Sequence, residues 1–167
     1  MDHSRAKEVF LEIQSRPYSM SLQSRQPSNN CYYKGIELLQ RLGVLGYAVR
    51  GRVGETYWDP KIVPAEILDL LPADILVTHF FVEALVEGQW RIVDPSFQPA
   101  LSKYGFTTGS WDGAAVSCFP ITKLYSQEES LAYQKIWGSP EYQNDFFTRA
   151  GPCWQALDVW FTKLAAE

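Results

Sequence analysis

A chain of 167 residues, 46% apolar and 20% charged with a net charge of −4, has the makeup of a soluble globular protein and length for one domain. The slight acidic excess, with no Lys/Arg cluster, argues against nucleic acid or an anionic membrane surface as a partner, and no apolar run is long enough to span a bilayer. Cys31, Cys118 and Cys153 are odd in number and far apart, so no disulfide framework is expected. No C-x-x-C or H-x-x-x-H pair suggests a metal, and no cofactor is expected. The N-terminus lacks the basic and apolar regions of a secretory signal, making the cytoplasm, which keeps thiols reduced, the expected location.

In chain order, Ser4 to Gln14 reads as a helix with Val9, Phe10 and Ile13 on one face and Pro17 forcing a stop. Arg16 to Asn30 is polar, without periodicity, and reads as a surface loop leading to Cys31. Asn29 or Asn30 is a suitable N-cap for a helix opening at Cys31, with Tyr32, Ile36, Leu39 and Leu42 on its apolar face and Gly43 closing it. The alternation of Tyr47, Val49, Gly51 and Val53 with Ala48, Arg50 and Arg52 predicts a half-buried strand, and Pro64 to Leu71 a short helix. Ile75 to Pro95 reads as a β-hairpin turning at Glu87-Gly88. Residues Ala115 to Tyr125 suggest a further strand, interrupted by Pro120. Ser126 to Glu129 is a capping box for a helix reaching about Trp137, Ser139-Pro140 opens another, and Gly151-Pro152 begins a last one. The expected fold is α+β: an antiparallel sheet packed against a helix bearing a cysteine at its N-terminus, with additional C-terminal helices. Residues 1–167 are read as a single domain with its core at about 28–125 and C-terminal helices over about 126–166.

The hairpin carries the chemistry. A two-residue turn pairs Val86 with Gln89 and sets Asp94 opposite Phe81, so that His79, Phe81 and Glu83 share a face with Trp90, Ile92 and Asp94. His79 and Asp94 are then diagonal neighbours about 7–8 Å apart at the backbone, within reach of a side-chain hydrogen bond. Unpaired N–H groups and the helix dipole at a helix start favour thiolate over thiol. Cys31, His79 and Asp94 therefore supply a thiol nucleophile, a general base and a carboxylate that orients it. His3 is the one other histidine, so the choice of base is nearly forced.

Three blocks, N-N-C-Y-Y-K-G-I-E-L-L-Q-R-L-G-V, G-Y-A-V-R-G-R-V and T-H-F-F-V-E-A-L-V-E-G-Q-W-R-I-V-D-P-S, cover roughly Ser28 to Pro99, and in them the chain resembles the transglutaminase-like superfamily of papain-related thiol enzymes. The resemblance implies a papain-like core and a catalytic triad of Cys31, His79 and Asp94. The chain departs from the motif in having Asn29 two before the cysteine and Phe81 in place of tryptophan two after the histidine, and only 30 residues precede Cys31. Arylamine N-acetyltransferases use the same triad with a thioester donor, but the D-P-S run and chain length resemble that family less.

The expected activity is that of a cysteine hydrolase, protease or amidase, or acyltransferase, acting on an amide bond of a peptide, protein or small amide substrate. A non-catalytic binding domain with the same fold is the alternative from another class. The backbone N–H of Cys31 is one oxyanion donor, and Tyr18, Gln23 and Gln26 are candidates for the other. Phe81, Trp90 and Trp111 are candidates to wall the cleft. Glu83 is expected to pair with Arg50 or Arg52, Lys34 to be solvated, and Cys118 and Cys153 to be structural.

Overall fold

A computed structural model describes residues 2–167. The first helix, α1 (His3–Ser15), is capped by the Asp2 side chain and buries Ala6, Val9, Phe10 and Ile13, the spacing of one helix face. The second, α2 (Cys31–Val44), begins after Asn30, whose side-chain oxygen accepts the Tyr33 N–H at 3.1 Å. Gly43 does not end this helix. It lies in the last turn, and the left-handed residue that stops the helix is Gly46, with φ +86°. Packing of the neighbouring Leu42 in the core outweighs the propensity cost of a glycine inside the helix, about 1 kcal/mol.

Four strands follow, β1 (Val49–Glu55), β2 (Thr78–Val86), β3 (Gln89–Val93) and β4 (Lys123–Leu124), making one antiparallel sheet in the order β3-β2-β1-β4. The architecture is α+β. The hairpin has the register its turn dictates: Val86 pairs with Gln89 and Val82 with Val93. Glu87 and Gly88 both have positive φ, +51° and +79°, the backbone of a two-residue turn whose twist matches the strands.

One sheet face, with Phe80, Val82, Ala84 and Val86, packs on α2, and α1 packs against α2 within the same core. The Phe80 ring is wedged between Gly35 of α2 and Gly51 of β1, and a Cβ on either glycine would lie 2.6 Å from it. Only glycines let α2 settle this close to the sheet. Tyr32, in the first turn of α2, packs edge-on against Phe80, which brings the start of that helix to the His79 end of the hairpin. A second core gathers Tyr18, Trp58, Phe97, Phe119, Leu157 and Phe161 from loops and the last helix.

Three expected elements differ. The helix in the 64–71 region, α3 (Ala65–Leu68), is a single turn ending before Pro72. The expected strand over Ala115 to Tyr125 is paired only at Lys123 and Leu124. Its earlier N–H groups are used elsewhere: that of Cys118 bonds Asp94 and that of Phe119 bonds the Ser117 hydroxyl, while Pro120 has none. Beyond α4 (Gln127–Trp137), opened by the Ser126/Glu129 capping box, one continuous helix, α5 (Pro140–Ala166), replaces the two expected. Pro152 sits inside it. Its fixed φ suits a helix and it forgoes one backbone bond, while burial of Ala150, Cys153, Leu157 and Phe161 on both sides of it holds the axis together.

Candidate active site

Cys31 owes its position to a loop that folds back on itself. Ser21 bonds the Gln26 carbonyl and accepts from the Asn30 amide at 3.2 Å, while the Ser19 hydroxyl accepts the Asn29 N–H at 2.9 Å. The chain is thereby turned into α2 with Cys31 as its first residue, where backbone N–H groups have no intrahelical partner. Cys31 is half-buried, whereas Cys118 and Cys153 are buried. Burial pushes the Cys118 thiol well up and the Cys153 thiol up to about 11.

His79 and Asp94 are fully buried, and His79 Nε2 lies 2.7 Å from Asp94 Oδ2. The diagonal cross-strand placement read from the turn is the one observed. Burial alone favours a neutral ring, but the charge and hydrogen bond of Asp94, with Cys31 adding to them, raise the His79 pKa to about 9. Burial likewise opposes the Asp94 charge, and His79 with the donors around the carboxylate outweighs it, leaving its pKa below the usual carboxylate range. Among the described residues His79 Nδ1 has no hydrogen-bond partner. Since Nε2 is taken by Asp94, Nδ1 is the nitrogen left for Cys31, near enough to influence the ring without a closed hydrogen bond between them.

Asp94 is held from every side. Oδ1 accepts from the Ser96 hydroxyl at 2.5 Å and its N–H at 3.1 Å, and Oδ2 accepts from the Cys118 N–H at 2.7 Å. Gly109 lies so close that a Cβ there would collide with the Asp94 carbonyl. Lys34 is not solvated, as the sequence suggested, but 1% exposed, its ammonium bonded to the carbonyls of Gln14 (3.3 Å), Arg16 (2.5 Å) and Ser96 (3.0 Å). Burial pulls its pKa down to about 7 and the nearby Asp94 charge opposes the shift; three carbonyls, which only accept, are partners for the protonated form. One turn after Cys31, Lys34 thus ties α2 to the end of α1 and to the residue that orients Asp94. Lys34 shares an i, i+4 row with the buried Leu38 and Leu42, a signal that was present in the sequence.

Of the oxyanion candidates, the Tyr18 hydroxyl lies beside Cys31, close enough to be affected by its N–H and its thiol. Burial raises the Tyr18 pKa well above its ordinary value, so the phenol remains a donor. Gln23 stands on the cleft wall, and Gln26 is turned back to accept the Leu22 N–H at 2.8 Å.

The cleft at Cys31 has a volume of about 200 Å³. Its walls are not the three aromatics expected. Phe81 is buried behind His79, Trp111 packs in the first core against Phe10 and Tyr47, and Trp90 is exposed under the Arg50 guanidinium. The observed walls are Trp58, Phe119, Trp137, Phe146 and Trp154, with Tyr18 beside the thiol. They come from two loops, the end of α4 and one helix, α5. Tyr142 also lines the cleft, and its i, i+4 spacing with Phe146, which places both on one face of a helix, was a signal present in the sequence.

Glu83, on the His79 face, pairs with both expected arginines, Arg50 at 2.6 Å and Arg52 at 2.9 Å. Among the described residues no group of three or more His, Cys, Asp or Glu is arranged to hold a metal, and no helix is long and apolar enough to cross a membrane. Compared with known proteins, the chain matches no family model, no curated protein and no solved structure.

Proposed function

We propose that this protein is a transglutaminase-like thiol enzyme with a papain-like core, which takes an acyl group from an amide or ester onto Cys31 and passes it to water or an amine. The observation that carries the reading is the buried His79–Asp94 pair, whose remaining ring nitrogen is left for a half-buried cysteine at a helix start. His79 Nδ1 takes the thiol proton, and Sγ attacks the carbonyl carbon. The C–N or C–O bond breaks as the same proton goes to the leaving nitrogen or oxygen, giving a thioester. Water or an amine, deprotonated by His79, then attacks the thioester, the C–S bond breaks, and the thiol is re-formed. Asp94 fixes the ring with Nε2 toward itself and supports the imidazolium. The Cys31 N–H and the Tyr18 hydroxyl are the donors for the oxyanion.

The test is intact-mass and peptide mapping after incubation with activated esters. Acyl adducts confined to Cys31, and absent from Cys31→Ala, are expected. Equal labelling of Cys118 or Cys153, or no labelling at all, would defeat the proposal.

A further inference from the structure

The cleft around Cys31 is lined almost wholly by uncharged side chains, and aromatic rings dominate it. Trp58 and Phe119 meet edge to face at 5.0 Å between centroids, as do Phe146 and Trp154, so these wall residues are braced in pairs. A dry apolar cavity of about 150 Å³ holds a benzene ring. A cleft of about 200 Å³ therefore suits one aromatic ring and the short stem joining it to a carbonyl. A ring in such a slot removes apolar surface from water on both faces, which gives a selectivity that a methyl group cannot match.

Among the described residues lining the cleft, one is charged, Arg25. It is exposed, and no acidic side chain among the described residues pairs with it. Its backbone is left-handed, with φ +57°, in the turn closed by the Gln26 N–H to the Gln23 carbonyl at 3.2 Å. That conformation costs a side-chain-bearing residue on the order of 1 kcal/mol or more, and such strain in other proteins gathers at ligand-binding sites. A lone cation at the lip of an uncharged aromatic slot is complementary to a substrate with a ring inside and a carboxylate outside. It also disfavours an ammonium there, and no carboxylate lines the cleft to receive one.

We infer, resting on the acyl-transfer reading above, that the substrate is an amide joining an arylacyl group to an amino acid. Its ring enters the Trp58/Phe146/Trp154 slot and its free carboxylate meets Arg25 at the rim. Cys31 attacks the carbonyl carbon next to the ring stem, the C–N bond breaks, and the amino acid leaves with its nitrogen protonated by His79. Water then cleaves the thioester, releasing the arylacyl acid and the free thiol.

The probes are p-nitrophenyl phenylacetate and p-nitrophenyl acetate for acylation. For amide cleavage they are N-phenylacetylglycine, its neutral carboxamide, and an analogue ending in an ammonium. The full chain should be acylated roughly tenfold or more faster by phenylacetyl than by acetyl ester, corrected for intrinsic reactivity. It should also cleave the carboxylate amide in preference to the neutral one, and the ammonium analogue least. Arg25→Ala should lower the carboxylate-to-carboxamide ratio about tenfold, and Phe146→Ala should erode the phenylacetyl-to-acetyl ratio. Equal acylation of Cys31 by both esters overturns the inference and leaves the acyl-enzyme reading standing. So does preference for the ammonium analogue, which would make the cleft a cation cage. Failure of every ester to acylate Cys31 overturns the acyl-enzyme reading and the inference with it.

Discussion

The two ends of one hairpin face hold two charged clusters built from similar parts. Near the open end, His79 and Asp94 meet at 2.7 Å with both side chains fully buried. Four residues along β2, Glu83 meets Arg50 and Arg52 at 2.6 and 2.9 Å, with 11–31% of each side chain exposed. The distances are alike, and the surroundings are not. At the buried end each carboxylate oxygen accepts a backbone N–H, from Ser96 or Cys118, and one ring nitrogen is left unpaired. At the other end two cations share one carboxylate oxygen, Arg50 keeps about a third of its side chain in solvent and lays its guanidinium over Trp90 at 4.1 Å, and Arg52 Nε is buried without a partner among the described residues. Full burial makes the first pair sensitive to every change in protonation, while the second divides one carboxylate between two always-charged guanidiniums and acts as a strut. Site chemistry on this sheet follows from what surrounds the pair more than from which charges it contains.

Asp94→Asn should separate the two ends most sharply. It should lower acyl-transfer rates by about 10³–10⁴-fold through loss of the correct tautomer. It should also cost about 3 kcal/mol in urea unfolding, because a buried charge loses its partner. Lys34→Met should come next, at about 2–4 kcal/mol, since three buried carbonyls lose their donor. If it unfolds with the wild-type midpoint, Lys34 does not brace the Asp94 loop.

A pH series checks the same contrast in the native chain. His79 has its pKa raised to about 9, so its contribution to stability is complete below its ordinary value of about 6.5 and fades as pH rises through about 9. Asp94 has its pKa lowered, so its contribution is present above the ordinary carboxylate range and is lost as pH falls below it. Urea midpoints should therefore decline at both extremes, and in Asp94→Asn the alkaline decline attributable to this pair should flatten. Glu83→Gln should leave that profile in place, cost about 1–2 kcal/mol and alter rates less than about threefold. A larger rate effect would make the strut part of the site. Smallest of all, Arg50→Ala should cost about 0.5–1 kcal/mol, from one screened ion pair and one exposed cation–π contact.

The hairpin was legible because a two-residue turn at Glu87-Gly88 permits one register, and one register puts His79 and Asp94 on the same face. The helix start at Cys31 was legible from its cap. Lys34 was misread because a charged side chain near a helix start suggests solvent, although its row with Leu38 and Leu42 pointed inward. The cleft walls were hidden for a different reason. Trp58, Phe119 and the 137–154 stretch are far apart in the chain, and which aromatics converge on a thiol depends on how loops, α4 and α5 are packed. The unbroken course of α5 through Pro152 was likewise a tertiary outcome, fixed by buried neighbours on either side of a residue that usually ends helices.

His79 has no surface of its own in contact with solvent. In the proposed reaction, a proton that reaches Nδ1 from sulfur has no direct aqueous exit, and the departing group is its natural destination. Such internal return has an isotopic signature. In mixtures of H₂O and D₂O the acylation rate should fall linearly with the deuterium fraction, as expected for one proton carried from sulfur to the departing group. A buried ring would then be a private carrier, exchanging its proton with the thiol, the departing group and the attacking nucleophile in the cleft rather than with bulk water.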